Sequence, residues 1–309
     1  MTPDGVLVID KPAGMTSHDV VGAVRRAIRR PGVSRKHGPR VGHTGTLDPD
    51  ATGVLVVCLG RCTRLVPYLQ ASRKTYDARL RLGVTTTTLD ASGEVVSRAD
   101  PSEVDETALC EALKSFVGDI EQIPPMVSAV KIGGERLHAK ARRGEEVERA
   151  PRPVTIHEIV LEDFVPGPDA EASFLVTCSA GTYIRTLAAD VGDRLGVGAH
   201  LVALRRLGSG RFSLEQAVDV DKVAELAAAG RLAEVLVSPA EAVADYPVVV
   251  VGEADARALS HGKPLAATGI EGPVAVLDEG GRLLAMVEDR ETAARPLVVL
   301  APANAGDQD

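Results

Sequence analysis

The sequence predicts an α+β protein: a mixed-sheet domain flanked by helices, followed by a small, mostly β, C-terminal domain. Three observations carry this. The 309 residues exceed one typical core and suit two domains, at roughly 150 residues each as a prior. Through residue 210, strand-like and helix-like patterns interleave irregularly, which favours an α+β domain over a regular doubly wound fold. Beyond residue 245, short apolar runs separated by turn residues take over.

The elements follow in order. Gly5 to Asp10 is a short apolar run that Lys11-Pro12-Ala13-Gly14 breaks, so it reads as a buried strand and then a loop. Thr16 or Ser17 can cap a helix in which Val20, Val21, Val24, Ala27 and Ile28 share one face, with Arg25, Arg26, Arg29 and Arg30 on the other. Pro31-Gly32 ends it, and the connection Val33 to Arg40 adds three fixed positive charges. A basic helix face followed by a basic loop can track a phosphate backbone. A Gly/Thr loop follows, and then Val54 to Leu59, a β-branched apolar run suited to a central strand. Tyr76 to Leu82 alternates with period two, and Ser102 to Val117 reads as a helix stopped by Gly118. The stretch 123–150 is rich in Pro, Gly, Lys and Arg, which makes it an exposed arm around a helical piece near Leu137 to Arg143. Phe174 to Ser179 is another strand. Gly181-Thr182-Tyr183-Ile184-Arg185 leads from it into a helix with Ile184, Leu187, Ala188, Val191 and Leu195 inward.

Residues 216–244 turn acidic and alanine-rich, a helical connection. Pro247 to Val251, Val274 to Leu277, Leu283 to Val287 and Leu297 to Leu300 are the strands of the small domain, 245–303, and residues 304–309 form a flexible tail.

Apolar residues make up 45% and charged residues 25% of the chain, ordinary for a folded protein and unlike a disordered one. The beginning has neither a basic leader nor an apolar stretch, and no run of about 18 apolar residues occurs, so the expected location is the cytoplasm, with no membrane partner. Cys58, Cys62, Cys110 and Cys178 are too scattered for a zinc site or disulfide framework, and Cys58 and Cys62, in or just beyond the apolar run Val54 to Leu59, read as buried free thiols rather than a metal or redox pair. The net charge of −8 argues against a nucleic-acid partner until its distribution is considered. Residues 1–80 hold 13 Lys and Arg against 6 Asp and Glu, so the acid is concentrated beyond them and the N-terminal part is the candidate partner surface.

The loop Gly42-His43-Thr44-Gly45-Thr46-Leu47-Asp48-Pro49 carries the chemistry. It lacks the Lys and spacing of a P-loop. Asp48-Pro49-Asp50-Ala51-Thr52 fits the Asp-x-Asp-x-Thr pattern of aspartyl phosphotransferases, but there the first Asp ends an apolar strand, whereas a Gly/Thr loop precedes Asp48.

The run Gly42 to Leu55 resembles the signature of the bacterial TruB-type tRNA pseudouridine synthases, which act on the uridine at position 55 of the tRNA T loop. Further matches occur in order at Asp10-Lys11-Pro12-x-Gly14-Met15-Thr16-Ser17, Lys74-x-Tyr76, Ile123-Pro124-Pro125-Met126-x-Ser128-Ala129-x-Lys131, Gly181 to Arg185, and Leu204-Arg205-Arg206-Leu207. The resemblance implies a pseudouridine-synthase-type mixed, mostly antiparallel sheet in a catalytic domain spanning 1–215, with a PUA-like small domain behind it. It implies no cofactor and no metal. It makes Asp48 the catalytic carboxylate, active while the C1′–N1 bond breaks, the uracil turns and C5 joins C1′. A carboxylate can attack or deprotonate given only position and a charge partner. Arg185 resembles the arginine that pairs with it, and Tyr76 the tyrosine that stacks on the target base and helps move its proton. A base inside a folded loop must be turned out, and His43 is the group implied to fill the vacated space. Lys11 and Leu204 match positions that line the pocket, Leu204 as an apolar wall and Lys11 as either a structural residue or a substrate contact; Arg64 and Lys131 are further substrate contacts the resemblance implies, and the arm 123–150 resembles an RNA-gripping insertion.

Two departures stand out: Arg64 replaces a frequent Lys, keeping the charge, and His138 replaces a frequent Tyr. The small domain holds nine acidic and five basic residues between 245 and 303, a poor balance for RNA binding. The implied partner is the tRNA T stem-loop, bound by a monomer without guide RNA or protein partner. A non-catalytic tRNA-binding or tRNA-folding protein, which would use the same basic surfaces, is the alternative from another class, and a guide-RNA-dependent relative is an alternative within the enzymes.

Overall fold

A computed structural model gives the fold and describes residues 3–29, 38–128, 131–132, 135–136, 143, 145 and 147–301. The helical piece expected beyond Leu137, His138, and the tail 304–309 fall outside the described residues. Lys131 is described by its backbone alone.

Strand β1 (Gly5–Lys11) is buried along nearly its whole length and stops at Pro12, which has no amide proton to continue a ladder. Helix α1 (Ser17–Ala27) starts at Thr16, whose hydroxyl accepts from the Asp19 amide while the Asp19 carboxylate accepts from the Thr16 amide. Strands β2 (Val41–His43) and β3 (Thr52–Leu59) bracket the Gly/Thr loop. A short 3₁₀ turn and helix α2 (Val66–Gln70) lead into β4 (Lys74–Leu82), where Lys74, Tyr76, Ala78, Leu80 and Leu82 all point inward. A small hairpin, β5 (Val84–Thr86) and β6 (Val95–Arg98), precedes α3 (Glu106–Lys114). That helix begins later than its pattern suggested, because the Asp105 carboxylate caps the Ala108 amide and Ser102 is bound back to Asp100. Then come β7 (Gly118–Gln122), the arm's short hairpin β8 (Lys131–Ile132) and β9 (Glu135–Arg136), β10 (Arg152–Val165), β11 (Glu171–Cys178), α4 (Ile184–Arg194), β12 (Ala199–Ser209) and β13 (Phe212–Ser213).

Nine of these strands form one sheet, ordered β1-β3-β12-β4-β11-β10-β7, with β2 on β3 and β13 on β12, while β5 with β6 and β8 with β9 pair apart from it. Every pair is antiparallel except β12 with β3, so the sheet is mixed and mostly antiparallel. The parallel contact is tight at Gly53 (φ +98°), where an added Cβ would lie 2.2 Å from the Arg206 carbonyl oxygen. Only glycine fits there.

The expected connection, 216–244, is packed onto the sheet. It comprises α5 (Val220–Ala228), a 3₁₀ turn, and the single turn α6 (Pro239–Ala242). Val237 exchanges two backbone hydrogen bonds with Val6, and Val218 accepts from the Asp10 amide and donates to the Val8 carbonyl. The open edge of β1 is thereby covered, which removes a site for strand addition. The small domain holds β14 (Val248–Val251), α7 (Glu253–Ser260), β15 (Leu265–Ala266), β16 (Val274–Asp278), β17 (Leu283–Arg290) and β18 (Ala293–Val299), in a five-stranded sheet ordered β14-β16-β17-β18-β15.

The core explains why β1 and β3 are apolar throughout. Leu7, Ile9, Leu55, Val57 and Leu59 pack under α1 and α5, with Val20, Val24 and Val223. On the other face, Val6, Val8, Val54, Val56 and Cys58 meet Ala275, Leu283, Met286 and Leu300 of the small domain. Tyr246 also donates its hydroxyl to the Tyr68 carbonyl across this junction. Among the described residues, no helix is long and apolar enough to cross a membrane.

Candidate active site

The Gly/Thr loop leaves β2 and enters β3, both hydrogen-bonded into the sheet, so its ends are fixed. Its middle is held by α1: the buried Ser17 hydroxyl accepts from the Leu47 amide at 2.8 Å and donates to the Leu47 carbonyl at 3.0 Å. Asp48 follows at once. Arg185 lies in the first turn of α4 and reaches it with Nε to Oδ2 at 3.0 Å and Nη2 to Oδ1 at 3.3 Å. The guanidinium is 5% exposed, whereas the Asp48 side chain is 40% exposed. The pair therefore presents a carboxylate to solvent from a dry, cationic backing.

Arg185 is itself over-determined. Nη1 meets Asp90 Oδ2 at 3.3 Å and donates to the Thr88 carbonyl, and Nη2 donates to the Val127 carbonyl at 2.8 Å. Asp90 is in turn fixed at Oδ1 by the Thr88 hydroxyl and by the amide and hydroxyl of Ser92. One guanidinium thus joins two carboxylates. Burial pushes the Asp48 carboxyl above its ordinary range, Arg185 pulls it back, and Asp90 adds a push upward.

A cavity of about 220 Å³ opens beside Asp48, lined by Gly45 to Asp48, Tyr76, Tyr183, Arg185, Leu204 and Arg206. A second of about 260 Å³ lies behind Asp48, Leu204 and Arg185, toward Asp90. Tyr76 is 6% exposed, and burial holds its phenol above the ordinary range, against the pull of Arg206. Leu204 is an apolar wall shared by both cavities. A carboxylate held by arginine, an aromatic ring and an apolar wall around one cavity can take up a flat heterocycle and work on its attachment.

The sequence comparisons agree on one family. The TruB family pseudouridylate synthase N-terminal domain matches residues 33–184, the tRNA pseudouridylate synthase B C-terminal domain 185–244, and the tRNA pseudouridine synthase II C-terminal domain 246–301. The tRNA pseudouridine synthase B of Thermobifida fusca is 46% identical over 305 residues, covering 96% of this chain and 99% of the relative. That of Symbiobacterium thermophilum is 53% identical over 260 residues, 84% of this chain and 82% of the relative. The chain belongs to the TruB family of pseudouridylate synthases. Among solved structures, an H/ACA RNP bound to a substrate RNA containing 2'-deoxyuridine aligns at TM-score 0.72 and 26% identity, over 97% of this chain and 86% of that one. A Cbf5-Nop10-Gar1 complex aligns at TM-score 0.73 and 28% identity, over 96% and 85%.

Within this TruB-family chain, Asp48, Tyr76, Arg185 and Leu204 converge on one cavity. Two expected substrate contacts make structural hydrogen bonds. Lys11 is fully buried, and its Nζ donates to the carbonyls of Pro12, Met15 and Pro49 at 2.6–2.8 Å. It pins the loop after β1 to the loop after Asp48, and burial pulls its ammonium down to about 8. Arg64 does not line the cavity and donates to the Val299 carbonyl, tying the sheet domain to the small one. His43 sits at the end of β2, its Nδ1 accepting from the Gly45 amide, so it shapes the loop without lining the cavity. The side chain of Lys131 lies outside the described residues.

Three cavity or pair residues were not singled out from sequence: Asp90, Lys74 and Arg206. Lys74 donates to the carbonyls of Gln70 and Ser72, and burial pulls it down to about 8. For Lys74 and Arg206 the signal existed, since both fall inside matched motifs. Asp90 had only its position in a Thr-rich turn. Cys58, Cys62 and Cys178 are buried free thiols pushed up by burial, Cys178 to about 11. Among the described residues, no group of three or more His, Cys, Asp or Glu stands together as a metal site.

Proposed function

We propose that this chain isomerises uridine to pseudouridine at position 55 in the T loop of tRNA, as a monomer in the cytoplasm without guide RNA, partner protein, cofactor or metal. The observation that carries it is the Asp48–Arg185 pair at the mouth of a cavity walled by Tyr76 and Leu204. The names of the relatives, tRNA pseudouridine synthase B, support the substrate.

The target base is turned out of the loop into the cavity, with Tyr76 on one side and Leu204 on the other. His43, two residues before the cavity-lining Gly45, takes the vacated space. Asp48, kept anionic by Arg185, acts on the ribose while the C1′–N1 bond breaks. The uracil turns and C5 bonds to C1′. The proton that C5 loses is balanced by the proton that N1 gains, so nothing is consumed and no redox partner is required. The roles of the domains follow: residues 1–215 hold the chemistry, the arm 123–150 grips the RNA, and 245–303 supports the sheet.

The test is a stem-loop transcript with a uridine at the T-loop position, incubated with wild type and Asp48→Asn in excess chelator. Pseudouridine formed by wild type and not by the variant supports the reading. Pseudouridine formed equally by both removes Asp48 from the chemistry, and none from wild type on either stem-loop or full tRNA removes the function.

A further inference from the structure

The matched run Leu204-Arg205-Arg206 places two arginines side by side with opposite fates. Arg205 faces outward and makes a two-pronged ion pair with Asp10, at 2.7 and 3.1 Å. Arg206 is 2% exposed, and no ion pair forms on it among the described residues. Its Nε donates to the Val54 carbonyl at 2.6 Å and its Nη2 to the Gly45 carbonyl at 3.2 Å. A buried cation without a carboxylate is costly. Its charge therefore needs a use.

The register supplies one. Arg206 stands directly opposite Tyr76 where β12 pairs with β4, and cross-strand partners share a face. Both side chains line the cavity beside Asp48. The other cation on that wall, Lys74, is already committed to the carbonyls of Gln70 and Ser72.

We infer that Arg206 is a positioning residue for Tyr76, its unpaired charge stabilising the negative charge that develops on the phenolic oxygen while Tyr76 carries the C5 proton in the last step. The inference rests on the pseudouridine-synthase reading. After C5 bonds to C1′, the C5–H bond breaks and its electron pair restores the C5–C6 double bond. The phenol gives its own proton to N1, the phenolate left beside Arg206 takes the proton from C5, and Tyr76 ends unchanged. Burial keeps the resting phenol neutral, and the field of Arg206 opposes burial, which is the balance a relay needs.

The test uses single turnover of the full chain on a stem-loop whose target uridine carries protium or deuterium at C5. Variants Arg206→Gln and Arg206→Lys are made in wild type and in a Tyr76→Phe background. Arg206→Gln should slow turnover about tenfold or more with RNA affinity unchanged, and the deuterated substrate should lag further behind the protiated one than in wild type. Arg206→Lys should restore much of the rate and shrink the isotope effect. In the Tyr76→Phe background, Arg206→Gln should add little. Equal slowing of both isotopic substrates, or a fully additive loss in the double variant, overturns the inference. If Arg206→Gln does not fold, as judged by thermal melting, Arg206→Lys carries the isotope comparison: an effect above wild type supports the inference, and none overturns it. Wild type inactive on the stem-loop would instead sink the function reading itself.

Discussion

Replacing Arg185 by lysine isolates what the guanidinium fork does for Asp48. Arg185 makes five contacts: two to Asp48, one to Asp90, and one each to the carbonyls of Thr88 and Val127. A lysine ammonium has three protons at one point, so at least two of these contacts are lost. Hydrogen bonds to charged groups are worth about 1.5–3 kcal/mol each, giving a gross loss of about 3–6 kcal/mol. Asp48 is 40% exposed, and water recovers part of this, so about half, or 1.5–3 kcal/mol, is the expected net loss. In the rate of the chemical step that is about 10- to 150-fold. The pH dependence gives the sign. Burial raises the Asp48 carboxyl and Arg185 holds it down. Weakening the fork moves the carboxyl further up, so ionised Asp48 is lost sooner as pH falls. Single-turnover rates across the acidic limb should therefore drop more steeply for Arg185→Lys than for wild type, with the limb displaced to higher pH. A variant profile that superposes on wild type after scaling, or a rate within threefold of wild type at all pH values, would refute the reasoning.

Asp48→Asn should abolish pseudouridine formation without lowering the thermal midpoint at neutral pH. The folded carboxyl is raised above its unfolded value, so its contribution to stability falls as pH rises through that window, and a neutral isostere loses nothing there. A large drop in melting temperature would contradict this. Lys11→Met strips three carbonyls of their donor. With Pro12 and Pro49 exposed to water, it should cost about 2–4 kcal/mol in denaturant titration, and it should lower kcat more than it raises KM, since it loosens the Asp48 loop. Gly53→Ala combines a left-handed φ with a Cβ inside contact distance of Arg206. A loss of about 2–5 kcal/mol by denaturant titration is expected, and an unchanged midpoint would show that the β3–β12 contact yields easily.

Much of the site was readable because its chemistry sits on local motifs: Asp48 on the Gly/Thr loop, Tyr76 at the first inward positions of an alternating strand, Arg185 where a strand turns into a helix. What the sequence left open has one physical origin. The resemblance left Lys11 open between a structural and a substrate role and counted Arg64 among the substrate contacts. Three carbonyls converging on Lys11 and one strand end reaching Arg64 are tertiary facts with no sequence period. Asp90 was invisible for the same reason, since nothing near it says that Arg185 needs a second carboxylate. The long strands β10 and β12 also escaped. β12 has one β-branched residue, Val202, in eleven, and its extended form comes from being paired by β4 on one side and β3 on the other.

That pairing is also what makes the site rigid. β12 holds Leu204 and Arg206 against the cavity, Arg205 against Asp10 of β1, and its own backbone against Gly53 at the start of β3. Asp48 lies four residues before Thr52, so its loop cannot move far without breaking that parallel contact or the clamp of Lys11 on Pro49. On the opposite side, Arg185 is fixed by α4 and by Asp90, whose turn is bridged to Leu201 of the same β12. Both partners of the Asp48–Arg185 pair are thus referenced to one strand. A shift of the carboxylate relative to its arginine requires a deformation of the sheet, which is the kind of positional control that catalysis by placement demands.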